Sequence, residues 1–227
     1  ATPAAQTVAN VTSDIPIVAT AVTDYKTAKL VKDDAKPGTN VTGTTDMNPV
    51  AEQLDLLLKL VPNAKTIGTI YCSSEVNSQL QVELLKKAAA AKGITVKEAT
   101  VSTVNDIQQA ARSLAGDVQA VYVPTDNVLA SAIPTLISVT EEAKLPVICA
   151  EGGMVRAGGL ATLGVDYYKL GFQTGVMAAD ILSGKAKPAD MAIQAQKEFK
   201  PTINLKEAAK IGLKVPEDLL KGAEVIK

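Results

Sequence analysis

Five side chains able to hydrogen-bond, Ser73, Ser74, Glu75, Asn77 and Ser78, follow directly on the apolar run from Thr66 to Cys72. The arrangement recurs. The run from Ala120 to Pro124 ends in Thr125, Asp126 and Asn127, and the run from Leu145 to Ala150 ends in Glu151 and two glycines. Nearer the start, Thr2 precedes a proline, and the run from Ile17 to Val22 ends in Thr23, Asp24 and Tyr25; Asp166 opens the last long periodic segment. Hydroxyls and amides beside helix N-termini suit a carboxylate, because the exposed N–H groups and the helix dipole favour negative charge there. Asp24, Asp126, Glu75 and Glu151 suit an ammonium group. A zwitterion therefore finds both halves of what it needs without an arginine, whereas phosphate or sulfate would not call for so many carboxylates. The competing account is structural. Ser, Thr and Asp are the usual N-caps, and Thr2, Ser73 and Asp166 fit that role equally well. Tyr71 and Tyr122 lie inside strand-like runs and read as core, while Tyr25, Tyr167 and Tyr168 are freer to stack on an aromatic ligand.

Several chemistries are excluded. The chain of 227 residues contains no histidine and no tryptophan. That removes Ser-His-Asp and Cys-His triads and every histidine-ligated metal site. No Gly-x-Ser-x-Gly elbow, P-loop or Gly-x-Gly-x-x-Gly follows any strand. Carboxylate pairs alone leave glycosidase chemistry open, but no enzyme, metal or cofactor is the expectation. A net charge of −1 with only two arginines, Arg112 and Arg156, argues against nucleic acid. No apolar run reaches the roughly 18 residues of a membrane-spanning helix. Cys72 and Cys149 each close an apolar run. With another strand expected between them, their backbones stand about 9–10 Å apart, beyond disulfide reach, and both read as buried free thiols.

With hydrophobic residues at 47% and charged residues at 21%, the chain can build a real core. Val50, Leu54, Leu57, Leu58 and Val61 form one helical stripe, and Leu80, Leu84, Leu85 and Ala88 another. A short helix is expected around Leu30 and Val31. The segment from Val128 to Glu142 reads as helical, with Pro134 either kinking or restarting it. A strand is expected from Met191 to Gln196 and another from Pro201 to Leu205. From Thr66 to Val165 the alternation is β-α-β-α-β-α-β-β, whose connection lengths demand mostly parallel pairing. That is one complete doubly wound unit of the flavodoxin-like kind. The first 45 residues hold only the later part of a similar unit. A strand directly before Ala1, and at least one more strand and helix before that, are expected.

The segments Ala1-Thr-Pro-Ala-Ala-Gln, Ile15-Pro-Ile-Val, Val22-Thr-Asp, Asn40-Val-Thr-Gly, Glu52-Gln-Leu, Tyr71-Cys-Ser-Ser-Glu-Val-Asn-Ser, Val123-Pro-Thr-Asp-Asn and Gly164-Val-Asp-Tyr-Tyr resemble one family in order and spacing. It is the extracytoplasmic substrate-binding proteins of ABC transporters with the type I periplasmic-binding fold, in the branch associated with tryptophan and other aromatic amino acids. Tyr25 stands where that family often has proline. The resemblance implies two doubly wound α/β lobes, the N-terminal one incomplete, closing on a ligand between them. It implies crossings near Gly43–Asn48, Leu163–Asp166 and Lys197–Thr202. The first lobe then holds residues 1–46 and 166–196, the second 47–165 and 197–227. It also implies an amino acid ligand, a permease partner, an extracytoplasmic location, and membrane attachment only through a lipid anchor outside these residues. The alternatives are a branched-chain amino acid or sugar as ligand, or the sensing domain of a transcription regulator.

Overall fold

The computed structural model describes residues 1–227. The chain runs α1 (Thr2–Ala9), β1 (Ile17–Ala19), β2 (Val41–Thr45), α2 (Val50–Leu60), β3 (Thr66–Cys72), α3 (Val76–Ala90) and β4 (Thr95–Val101). It continues through α4 (Ile107–Leu114), β5 (Val121–Val123), α5 (Asn127–Ser131), α6 (Ile133–Glu142), β6 (Val147–Cys149), α7 (Gly152–Arg156) and β7 (Ala161–Gly164). α8 (Tyr167–Leu182), β8 (Gln194–Ala195), β9 (Lys200–Asn204), α9 (Leu205–Ile211), α10 (Glu217–Leu220) and β10 (Glu224–Ile226) complete it. Two compact units emerge: Ala1–Met47 with Val165–Phe199, and Asn48–Gly164 with Lys200–Lys227.

Unit 2 is a seven-stranded sheet in the order β4-β3-β5-β6-β7-β9-β10. Its first five strands run parallel, and numbered from β3 they follow the flavodoxin-like order 2-1-3-4-5. β9 breaks the pattern by pairing antiparallel with β7. Alternation along each strand loads both faces. Val121 and Val123 join the core beneath α4 and α6, whereas Tyr122 joins the one beneath α2, α3 and α9. Burial on both faces is why these strands read as nearly continuous apolar runs. Tyr122 is wholly buried, and its hydroxyl donates to Gln53 Oε1 at 2.7 Å. The Gln53 amide in turn donates to the Ala150 and Leu163 carbonyls, at 3.0 and 2.7 Å, at the ends of β6 and β7. Cys72 and Cys149 are free and buried, with β5 between their strands as expected.

Unit 1 is a parallel sheet, β1-β2-β8. Gly43 in β2 has φ +149°, and a Cβ there would collide with the Ala19 carbonyl. Glycine alone permits that approach.

Several local expectations change. The segment carrying Leu30 and Val31 is a single closed turn rather than a helix. Leu30 N donates to the Tyr25 carbonyl, and Lys29 takes φ +59°, which ends helical propagation. Pro134 restarts the helix. α5 stops at Ser131, Ala132 leaves helical geometry, and α6 accepts the proline in its first turn, where no N–H is missed. The strand expected from Met191 to Gln196 shrinks to Gln194–Ala195.

In unit 2 an acid pair, buried Glu207 and partly exposed Glu141, links α6 to α9. Lys210 Nζ lies 2.6 Å from Glu141 Oε1 and 3.8 Å from Glu207 Oε2. Burial first, then the hydrogen bond and charge of Glu141, push Glu207 up to about 7. The hydrogen bond from Lys210 holds Glu141 below the usual carboxylate range. A raised acid favours the fold while it stays protonated, so this stabilisation is complete below the ordinary glutamate pKa and is lost as pH climbs through about 7. Glu141 works in the opposite sense, and only at lower pH. Thermal melts from pH 5 to 8 are expected to show a decline toward pH 8 that is flattened in Glu207→Gln; parallel profiles would remove Glu207 as its source.

Candidate functional site

Because β3, β5 and β6 are adjacent and parallel, their carboxyl ends share one edge of the unit 2 sheet. The loops that leave them carry most of the polar residues singled out by sequence. Asp126 lies at the centre, 1% exposed. One oxygen accepts from Leu129 N at 2.9 Å and so caps α5. The other accepts from Cys72 N and from the Ser78 hydroxyl, both at 2.7 Å. One carboxylate therefore joins the end of β3, the first turn of α3 and the start of α5. Burial pushes its pKa up, and the two backbone hydrogen bonds offset part of that.

Glu75 is spent in the same way. Its carboxylate accepts from Asn127 N at 3.1 Å, Asn127 Nδ2 at 2.6 Å, Val128 N at 3.2 Å and Asn77 Nδ2 at 3.0 Å. Asn77 also donates to the Thr125 carbonyl at 2.8 Å, and its Oδ1 accepts nothing from the chain. Thr125 is held by Gln81 and Asn48, two residues that sequence reasoning missed. Gln81 Oε1 accepts from the Thr125 N–H and hydroxyl at 3.1 and 3.0 Å, and Asn48 Nδ2 donates to that hydroxyl at 3.2 Å. Glu151 caps α7 by accepting from Gly153 N and Met154 N.

These placements correct the simplest reading, in which the acids reach a ligand and the helix N-termini accept its carboxylate. At α5 and α7 the chain's own carboxylates already occupy the N–H groups. α3 differs. It is 15 residues long and has no side-chain cap. Ser73 and Ser74 beside it are exposed, and the turn is fixed by Gln79 Nε2 donating to the Ser73 carbonyl at 2.6 Å. Asn127 is exposed at the same edge.

Unit 1 has its own strand-end set. Thr2 is not the N-cap of α1, a place Ala1 takes. It is buried one residue further in, with its hydroxyl 3.4 Å from Thr23 N. The Thr23 hydroxyl donates to Asp46 Oδ1 at 3.0 Å, and the Tyr167 hydroxyl to Asp46 Oδ2 at 2.8 Å. Asp46 is thus the buried acceptor of this unit. Tyr25 is the clearest correction. Expected to stand free, it is 1% exposed, with its hydroxyl donating to the Ala19 and Thr44 carbonyls at 2.8 and 3.1 Å. Only part of its wall borders a pocket of about 290 Å³, lined also by Thr23, Asp24, Asp34, Thr45, Met47 and Ile193. Asp24 Oδ1 accepts from Thr27 N at 2.7 Å. Burial and the neighbouring Asp24 charge raise the pKa of Asp34, a residue hidden from sequence in a turn-like Lys-Asp-Asp-Ala-Lys run. Asp166 caps α8 through Tyr168 N and Lys169 N, and Tyr168 is 85% exposed. A larger polar hollow of about 420 Å³ follows edge strand β4 and α4, apart from either set.

Polar loops at the carboxyl ends of parallel strands stand where open α/β sheets bind their ligands. The profile of the ABC transporter substrate binding protein family matches residues 1–227, and the chain belongs to that family. It is 46% identical over 185 residues to the tyrosine-binding protein of Clostridioides difficile (strain R20291), a match covering 82% of this chain and 54% of that protein. This chain therefore spans about half the length of that curated relative. An ABC domain from Streptococcus pneumonia, solved in complex with L-Trp, has a TM-score of 0.95 and 42% identity over 100% of this chain and 76% of its own. A conserved domain protein from Vibrio cholerae O1 biovar El Tor str. N16961 has a TM-score of 0.96 and 41% identity over the same shares.

Removing the Asp126 carboxylate strands the Cys72 N–H and uncaps α5. An N-cap is worth about 1 kcal/mol and an orphaned buried donor about 1–3 kcal/mol. Asp126→Ala is expected to lower unfolding free energy by about 2–4 kcal/mol in urea denaturation; a loss under half a unit would show that the knot is dispensable.

Proposed function

We propose that this chain is the ligand-capturing part of an extracytoplasmic solute-binding protein that takes up an aromatic amino acid for an ABC import permease. The observation that carries the reading is the uncapped N-terminus of α3 beside exposed Ser73 and Ser74, at an edge where the chain fills its other helix N-termini itself. That is where an α-carboxylate gains most, from oriented N–H groups and two hydroxyls. Unit 1, taken by itself, has a pocket that carries Asp24 and Asp34 with Met47 and Ile193 as apolar wall, a lining that suits an ammonium group. Asn127 completes the set in unit 2. The names of the relatives support tyrosine or tryptophan as the ligand class, and both relatives are described by what they bind. Membership of the family supports delivery to a permease and residence outside the cytoplasm. Asp126, Glu75 and Glu151 act here by holding the loops in place.

Calorimetry with L-tyrosine, L-tryptophan, L-leucine and glucose on the intact polypeptide is expected to give heat with the aromatic pair alone. Binding of leucine or glucose with no aromatic response would overturn the ligand class. The double change Ser73→Ala/Ser74→Ala is expected to weaken aromatic binding at least tenfold, about 1.4 kcal/mol. Its unfolding free energy should stay within about 0.5 kcal/mol, as for exposed sites. Unchanged affinity would move the carboxylate elsewhere.

A further inference from the structure

β6 and β7 pair at a single position, Ile148 with Ala161, whereas β5 and β6 pair through three and β7 and β9 through four. Beyond that position the two strands part, and the polar groups at their ends need other partners. On one face Gln53 supplies them, its amide donating to the Ala150 and Leu163 carbonyls. Ala161 and Leu163 belong to that face, the one beneath α2. Thr162 and Gly164 alternate with them and project to the other. There the Thr162 hydroxyl, on a residue 1% exposed, finds no partner in the chain.

Gly164 marks the same place. Its φ lies outside the left-handed region, so backbone conformation does not demand glycine. A glycine inside a strand weakens it and points to a close approach. A Cβ at position 164 would stand 3.3 Å from the Ala150 carbonyl oxygen, 3.4 Å from Thr162 Oγ1 and 3.5 Å from Asn48 Oδ1, its three nearest neighbours. Oxygens from three segments thus face one spot. All of them belong to unit 2, and Asn48 and Gly164 are the residues at which the chain enters and leaves it.

We propose that Ala150, Thr162 and Asn48 hold one internal water molecule over Gly164. The hydrogen count fits water. Its two hydrogens go to the Ala150 carbonyl and to Asn48 Oδ1, and its oxygen accepts from the Thr162 hydroxyl. The Ala150 oxygen has a second lone pair for this, beside the one that Gln53 uses. A cation fits less well, because it answers no hydroxyl hydrogen and none of the three oxygens belongs to a carboxylate. An unpaired buried hydroxyl is costly, and internal waters typically make about three such bonds. Asn48 also donates to the Thr125 hydroxyl at 3.2 Å. The water therefore joins the two crossing residues of unit 2 to each other and to the loop after β5.

Thr162→Val replaces the hydroxyl by a methyl of similar shape and separates the cases by sign. Removing a hydroxyl that has no partner relieves a cost, whereas removing one bonded to a water loses that bond. The Tm of the intact protein is expected to fall by about 2–4 °C, and an unchanged or higher Tm overturns the proposal. Gly164→Ala puts a methyl where the water sits. Its Tm loss is expected to be roughly twice as large alone as in the Thr162→Val background, where the water is already loosened. Equal losses would mark simple crowding and overturn the proposal. A high-resolution crystal structure gives the direct reading, a single density peak about 2.6–3.2 Å from each of the three oxygens. No peak overturns the proposal, and so does a peak at about 2.3–2.6 Å with six or more oxygen ligands, which marks a cation.

Discussion

A single buried carboxylate organises the strand-end edge of unit 2. Asp126 accepts from the backbone at the end of β3, from a hydroxyl in the first turn of α3 and from the start of α5. An acid with so little solvent gains its place only through such donors, since an unpaired charge there would be costly. The consequence is geometric. The Ser73–Ser74 turn, the first turn of α3 and the Thr125–Asn127 loop cannot move independently, and Glu75 adds a second tie between the same two loops. The polar residues nearest the strand ends are therefore mostly a scaffold.

That scaffold decides where an anion can go. Helix N-termini attract carboxylates whether these belong to a ligand or to the chain. In unit 2 the chain serves itself at α5 and α7, and in unit 1 at α8. What distinguishes α3 is the absence of such a cap on a helix long enough to carry a full dipole, next to exposed hydroxyls. The selectivity lies less in which polar residues are present than in which are already engaged.

This distinction explains what the sequence made legible. The parallel alternation, the flavodoxin-like order and the separated thiols all follow from period, connection length and turn residues, which are local properties. Gln53 and Gln81 were invisible because a polar residue on an otherwise apolar helix face looks like noise until its partner, Tyr122 or Thr125, is known. Tyr25 misled for a related reason. A tyrosine after a strand-end Thr-Asp looks exposed, and only the carbonyls of Ala19 and Thr44 reveal that its hydroxyl is bound inside. Asp24 and Asp126 occupy the same kind of position in sequence, yet one borders a pocket and the other is sealed.

The contrast between those two acids carries the electrostatic argument one step further. Asp126 is surrounded by three donors, so its charge is answered before any ligand arrives. Asp24 has one backbone donor on one oxygen and a second carboxylate, Asp34, close enough to raise that neighbour's pKa. Two acids that repel each other across a small, partly apolar pocket are stabilised by a cation between them, and the gain grows as water is excluded. Unit 1 contains no arginine to answer that charge, and Lys26 offsets only part of it at Asp34. The pocket of unit 1 thus sets two carboxylates beside the apolar side chains of Met47 and Ile193.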